Sequence, residues 1–247
     1  MVNVVKNYKD FFKLLKLYFA FLFQKVTIII LSLSFLLMIT ILVLIATSNY
    51  EYIYYLKNYQ EIHDSYISQA ILIVMLFNTI IASSMVISLY VNSISFDQLF
   101  ISQIKRRTLS LSKASVLFIV LFLIVILELF IVYLIPILRF PYFKISAEIF
   151  VLPFIFILPL LLEVIVLMVI TVFIPNVFLT MTVSFLSIAH KVISMNFSEI
   201  NSIAKYIIPS VSTNGNLISI DAIYMIPIWG ILFLVLYFKI YEIKDLK

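Results

Sequence analysis

At 247 residues, 64% hydrophobic and 12% charged, with a mean hydropathy of +1.20, the chain lies far from the roughly 25% charged usage of soluble domains. Cysteine is absent, so there are no disulfides and no thiolate metal site, and the only histidines, His63 and His190, are too far apart for a local metal pair. Two glycines, Gly215 and Gly230, leave no phosphate-binding loop and no dinucleotide fingerprint, so the chain is expected to bind no cofactor and to carry no catalytic motif.

The first 25 residues lack a small-residue cleavage site and run into an apolar stretch of full spanning length, so they are expected to stay attached. Lys6, Lys9, Lys13 and Lys16 recur every three or four residues, with Phe11, Leu15, Tyr18 and Leu22 on the opposite side. This pattern predicts an amphipathic helix lying in a membrane interface, its lysines toward anionic headgroups.

Six spans are predicted, at about 26–48, 67–92, 114–137, 149–174, 176–195 and 222–240, each close to the length a helix needs to cross about 30 Å of hydrocarbon. The fold class is therefore an all-α integral membrane protein, residues 1–247 forming one domain. An even number of spans puts both termini on one side. Five, four and three Lys or Arg fall in the N-terminal segment, the 93–113 loop and the C-terminal tail, against five on the other side or its span ends. The excess of positive charge predicts that both termini and the 93–113 loop are cytoplasmic, and it accounts for a pI of 9.2 without nucleic acid.

Between the first two spans, residues 49–66 hold six tyrosines, a composition suited to the headgroup region. Ser84 and Ser88, small and four residues apart, mark a face for close helix approach on the second span. The 95–113 loop carries Asp97, then Leu99, Phe100 and Ile104 along one side of a predicted short helix, then Lys105, Arg106, Arg107 and Lys113. A mere connector needs no apolar side chains in water, whereas a partner-docking helix does.

Farther along, Glu128 and Glu163 each lie about 21 Å from one end of a predicted span, near mid-membrane. An ionisable group there faces a cavity, pairs, or stays protonated. Both are candidates for a translocation pathway or for neutral, hydrogen-bonded packing behind it. Pro153 and Pro159 are expected to interrupt the fourth span and kink it. Ile174, Pro175 and Asn176 form a very short turn to the fifth span, with a single broken helix as the alternative. Residues 196–221 read as a weakly amphipathic piece around 199–208 followed by a polar loop.

This layout resembles the ABC-2 type of ABC exporter permease, which has an amphipathic N-terminal helix, six spans, a coupling helix between spans two and three, and a tight turn between four and five. In that family the coupling loop often runs from an acidic residue to a basic ending. Here Asp97 stands in the acidic place and KRRTLSLSK, closing at Lys113, in the basic one, although the loop's usual Gly and Pro are missing. The resemblance implies a separate cytoplasmic ATPase dimer that binds ATP and Mg, a second permease copy, and a multi-pass location in the cell membrane. Within the family the chain is similar to permeases that export amphipathic peptide toxins of the phenol-soluble modulin type from Gram-positive bacteria. Bacteriocin immunity and lipid or drug export stay open as alternatives, as does a six-span membrane enzyme or a non-transporting scaffold.

Overall fold

The computed structural model describes residues 2–51, 59–94, 97–98, 104–139, 152–196, 211–214, 217–220 and 224–243. They form seven helices: α1 (Val2–Leu22), α2 (Lys25–Glu51), α3 (Tyr59–Tyr90), α4 (Arg106–Arg139), α5 (Leu152–Phe173), α6 (Val177–Asn196) and α7 (Met225–Ile243). Between α6 and α7 an antiparallel ribbon pairs β1 (Val211–Asn214) with β2 (Leu217–Ile220), Val211 opposite Ile220. This ribbon replaces the polar loop expected there. Its strands carry the β-branched residues Val211, Thr213, Ile218 and Ile220.

Among the described residues, four helices contain stretches long and apolar enough to cross a membrane: Lys25–Ser48, Ser65–Tyr90, Arg106–Leu138 and Met225–Ile243. In α5 and α6 the apolar stretches among the described residues are the shorter Ile157–Phe173 and Val177–Val192. The outward faces of α2 and α7 expose Leu33, Leu36, Leu44, Ile231, Leu232 and Val235, a surface suited to hydrocarbon. On the inward side of α2, Ser34, Met38, Leu42 and Ala46 are buried at four-residue intervals, the stripe of a helix that packs along one line. That line meets α3, while α5 packs chiefly on α7 and α3.

Several boundaries differ from those read off hydropathy. Helix α3 begins at Tyr59 instead of 67, and α4 begins at Arg106 instead of 114. Polar residues end an apolar run without ending a backbone hydrogen-bond ladder, so hydropathy places helix ends too far inward. Ile104 and Lys105 are not helical and Arg106 and Arg107 belong to α4, so the short helix expected here does not include Ile104; residues 99–103 lie outside the described residues. The piece around 199–208 also lies outside them.

The prolines behave in three ways. Pro153 occupies the first turn of α5, where no intrahelical N–H bond is lost, so the break expected there does not arise. Pro159 lies inside α5, where the ring does remove a ladder bond. Pro136 lies inside α4 and cannot donate to the carbonyl of Val132, four residues back. The buried Tyr66 hydroxyl of α3 donates to that carbonyl at 2.7 Å. One helix thus repairs the gap in another.

At the turn between α5 and α6, Asn176 caps the second helix: its Oδ1 accepts from the backbone N–H groups of Phe178 at 2.8 Å and Leu179 at 3.3 Å. The Thr171 and Thr180 hydroxyls bond at 3.1 Å across the turn. Two helices joined by a capped turn, not one broken helix, occupy this region.

Candidate functional site

Among the described residues, two clusters of buried charged and polar side chains stand out in a largely apolar bundle. The first forms where the C-terminal parts of α1, α3 and α7 meet the start of α4. Helix α1 buries Leu14, Tyr18 and Leu22 against α4 and α3, and Ser88 of α3 donates to the carbonyl of Phe21 at 3.0 Å. Ser84 and Ser88 therefore serve packing within this chain. On the other side of α1, Lys13 and Lys16 are exposed; Lys6 and Lys9 belong to the helix, with side chains outside the described set.

Asp97 and Lys113, both expected at the aqueous surface of a coupling loop, are each 1% exposed and form an ion pair. Lys113 Nζ also donates to Ser93 Oγ at 2.7 Å. The Tyr18 hydroxyl donates to Asp97 Oδ1 at 2.7 Å, and that of Tyr241 to Oδ2 at 3.4 Å. Burial and the Asp97 carboxylate push the Tyr18 hydroxyl far above its ordinary pKa, so it remains a donor. Around the ammonium stand the rings of Tyr18 and Tyr90, both with centroids at 5.2 Å, and Tyr241 at 5.9 Å, within cation–π range. Tyr237 completes the wall, donating to the Ser110 carbonyl at 3.0 Å and meeting the Tyr90 hydroxyl at 3.0 Å.

Of the other residues expected to dock a partner, Lys105 and Arg107 are exposed, Arg106 bonds the Glu242 carbonyl at 3.0 Å, and Ile104 packs on the core. Leu99 and Phe100 lie outside the described residues.

The second cluster lies among α3, α4, α5 and α6. Asn78 Nδ2 donates to Glu128 Oε2 at 2.6 Å, with Glu128 fully buried. Glu163 pairs with Lys191 at 2.6 Å and accepts from Ser187 at 2.6 Å and Thr79 at 3.2 Å; Lys191 also donates to Thr79. Successive residues of α3, Asn78 and Thr79, thus reach two different carboxyl groups. A small cavity of about 20 Å³, room for a single water, is lined by Asn78 and Lys191, one partner of each carboxyl group, with Pro159, Val74, Met75 and Val125. Glu128, Glu163 and Pro159 therefore belong to one polar region, whereas Pro153 is a helix-start residue.

Sequence reasoning missed Asn78, Thr79, Ser187 and the tyrosines around Lys113. Lys191 was only one of the five basic residues counted on the other side or its span ends. An Asn within an apolar run was the available signal for Asn78; the pairing of Lys191 with a residue 28 positions away has no local signature. Among the described residues no group of acidic and histidine side chains could hold a metal. No known family, curated protein or solved structure matches the chain, and its function is read from this geometry together with the sequence.

Proposed function

We propose that this chain is the membrane permease subunit of an ATP-driven exporter, six-spanning with both termini cytoplasmic, working with a separate ATPase dimer and a second permease copy. The observation that carries the reading is the Asp97–Lys113 cluster. It clamps the segment after α3 to α1, α4 and α7 through buried bonds, while Lys105 and Arg107 beside it remain exposed. A push on that segment moves three helices as one body, which is what transmission of ATPase closure into a bundle requires. Exposed basic side chains next to the clamp suit a partner surface that is acidic.

The cargo best suited to an apolar bundle with an internal polar region is an amphipathic peptide, its apolar face against the helices and its charges near the Glu163–Lys191 pair. Phenol-soluble modulin-like toxins belong to that class. The ATP and Mg stay with the partner, and this chain supplies no catalytic group.

The test is co-purification of the full chain with its candidate ATPase partner, for the parent and for Lys105→Glu/Arg107→Glu. Both residues are exposed and take no part in the buried bonds of the clamp, so the variant is expected to keep its fold and lose the ATPase. Undiminished binding by a folded variant refutes the docking surface. Failure of the parent to bind any ABC ATPase refutes the permease reading.

A further inference from the structure

Glu128 and Asn78 present an accounting problem. The single bond between them satisfies Glu128 Oε2 and the Asn78 amide nitrogen, while Glu128 Oε1 and Asn78 Oδ1 are buried with no partner. Turning the amide over does not help, because it sets one acceptor against another. An ionised carboxylate has only acceptors to offer, so two orphaned oxygens remain in either orientation. Hydrocarbon supplies no donor, and an unmet acceptor there is costly.

One added proton resolves both vacancies. With hydrogen on Oε1, the acid donates to Asn78 Oδ1 while the amide donates to Oε2, closing a two-bond ring. We propose that Glu128 and Asn78 form a proton-binding site inside the bundle, and that release of the proton opens the neighbouring cavity to water. The second step follows from the same accounting. Once ionised, Glu128 has one donor and needs more, and a void lined by its partner Asn78 together with Met75 and Val125 adjoins the pair. That void holds about one molecule, so admitting more water requires α3 to separate from α4 or α5.

Apart from His190, the other titratable groups named on the packed helices have their own partners or lie apart. Glu163 of α5 and Lys191 of α6 bond each other, Thr79 and Ser187. His190 of α6 has an unpartnered Nε2 and is the rival proton site. Lys113 lies fifteen residues back along α4, about 22 Å away, with Tyr237 and Tyr241 of α7 beside it. Tyr66 of α3 is bonded to Val132. The inference stands whether or not the chain is a permease.

The test uses the full chain in lipid nanodiscs. Infrared spectra should contain a protonated-carboxyl carbonyl band that disappears in Glu128→Gln and moves to higher frequency in Asn78→Leu, which removes the ring partner and keeps the acid. A band unchanged in both variants, or no such band in the parent, overturns the proton site; the latter outcome means a carboxylate served by water. Because the natural chain has no cysteine, Met75→Cys is a unique reporter at the cavity wall. Its labelling by a water-soluble thiol reagent should rise with pH by about tenfold more than in the Met75→Cys/Glu128→Gln double variant, as a minor open state becomes dominant. Equal pH dependence in the two overturns the gate, and loss of the dependence in His190→Gln instead assigns the proton to His190.

Discussion

Replacing Tyr66 by Phe deletes one oxygen, and its effect is set by a proline on another helix. Pro136 has no N–H, so the Val132 carbonyl lacks its ordinary helix donor, and the Tyr66 hydroxyl supplies a substitute at 2.7 Å. In Tyr66→Phe that carbonyl is left unmet in a buried setting, at a cost of about 1–3 kcal/mol. Pro136→Ala restores a backbone donor one turn along α4. In the parent this second donor is redundant for Val132, but in the Tyr66→Phe background it is the only one. The benefit of Pro136→Ala should therefore be larger by about 1–3 kcal/mol in that background than in the parent. Reversible unfolding of the full chain in mixed micelles, read by circular dichroism for the four members of the cycle, measures the difference. Strict additivity would refute the repair, and would mean that Tyr66 stabilises the bundle by packing alone.

Asp97→Leu and Lys113→Met each strand a buried charge and should cost about 3–5 kcal/mol, whereas the double variant should recover most of that loss in the same unfolding assay. Leu14→Ala should loosen α1 from the bundle by about 2–5 kcal/mol, seen as faster protease cleavage near the N-terminus, while Phe12→Ala, at an exposed position, should change cleavage little. Pro153→Ala should leave stability within about 0.5 kcal/mol because the residue belongs to the first turn of α5; a large gain would mean that it strains the helix.

Long apolar segments were legible because hydrocarbon imposes its requirement on composition over some twenty consecutive residues. The α5–α6 turn was legible for a related reason: Pro175 and Asn176 act on their immediate neighbours. Helix ends were less so, since Arg106 and Tyr59 are polar enough to leave an apolar window and still extend a helix. The candidate sites divide in the same way. Glu128 and Glu163 stood out through the cost of their own burial, but Asn78 and Lys191 gain their meaning from helices far away in sequence. Asp97 and Lys113 were conspicuous as charges and misplaced in space, because four tyrosines from three helices enclose a pair that composition alone assigns to water.

That enclosure also fixes an order of events during synthesis. Tyr237 and Tyr241 belong to the last helix, and their bonds to Ser110 and Asp97 join residues 127 and 144 positions apart. Until α7 emerges, Lys113 and Asp97 exist without half of their aromatic shelter, however completely the earlier helices have inserted. Loop-closure entropy makes contacts of such separation late ones. The nascent chain therefore carries a pair of incompletely buried charges until the final helix arrives, and is expected to be more open to proteases until then. A chain truncated before residue 225 should insert and then be degraded faster than the full chain in a pulse-chase experiment; equal lifetimes would show that the earlier helices shelter the pair unaided.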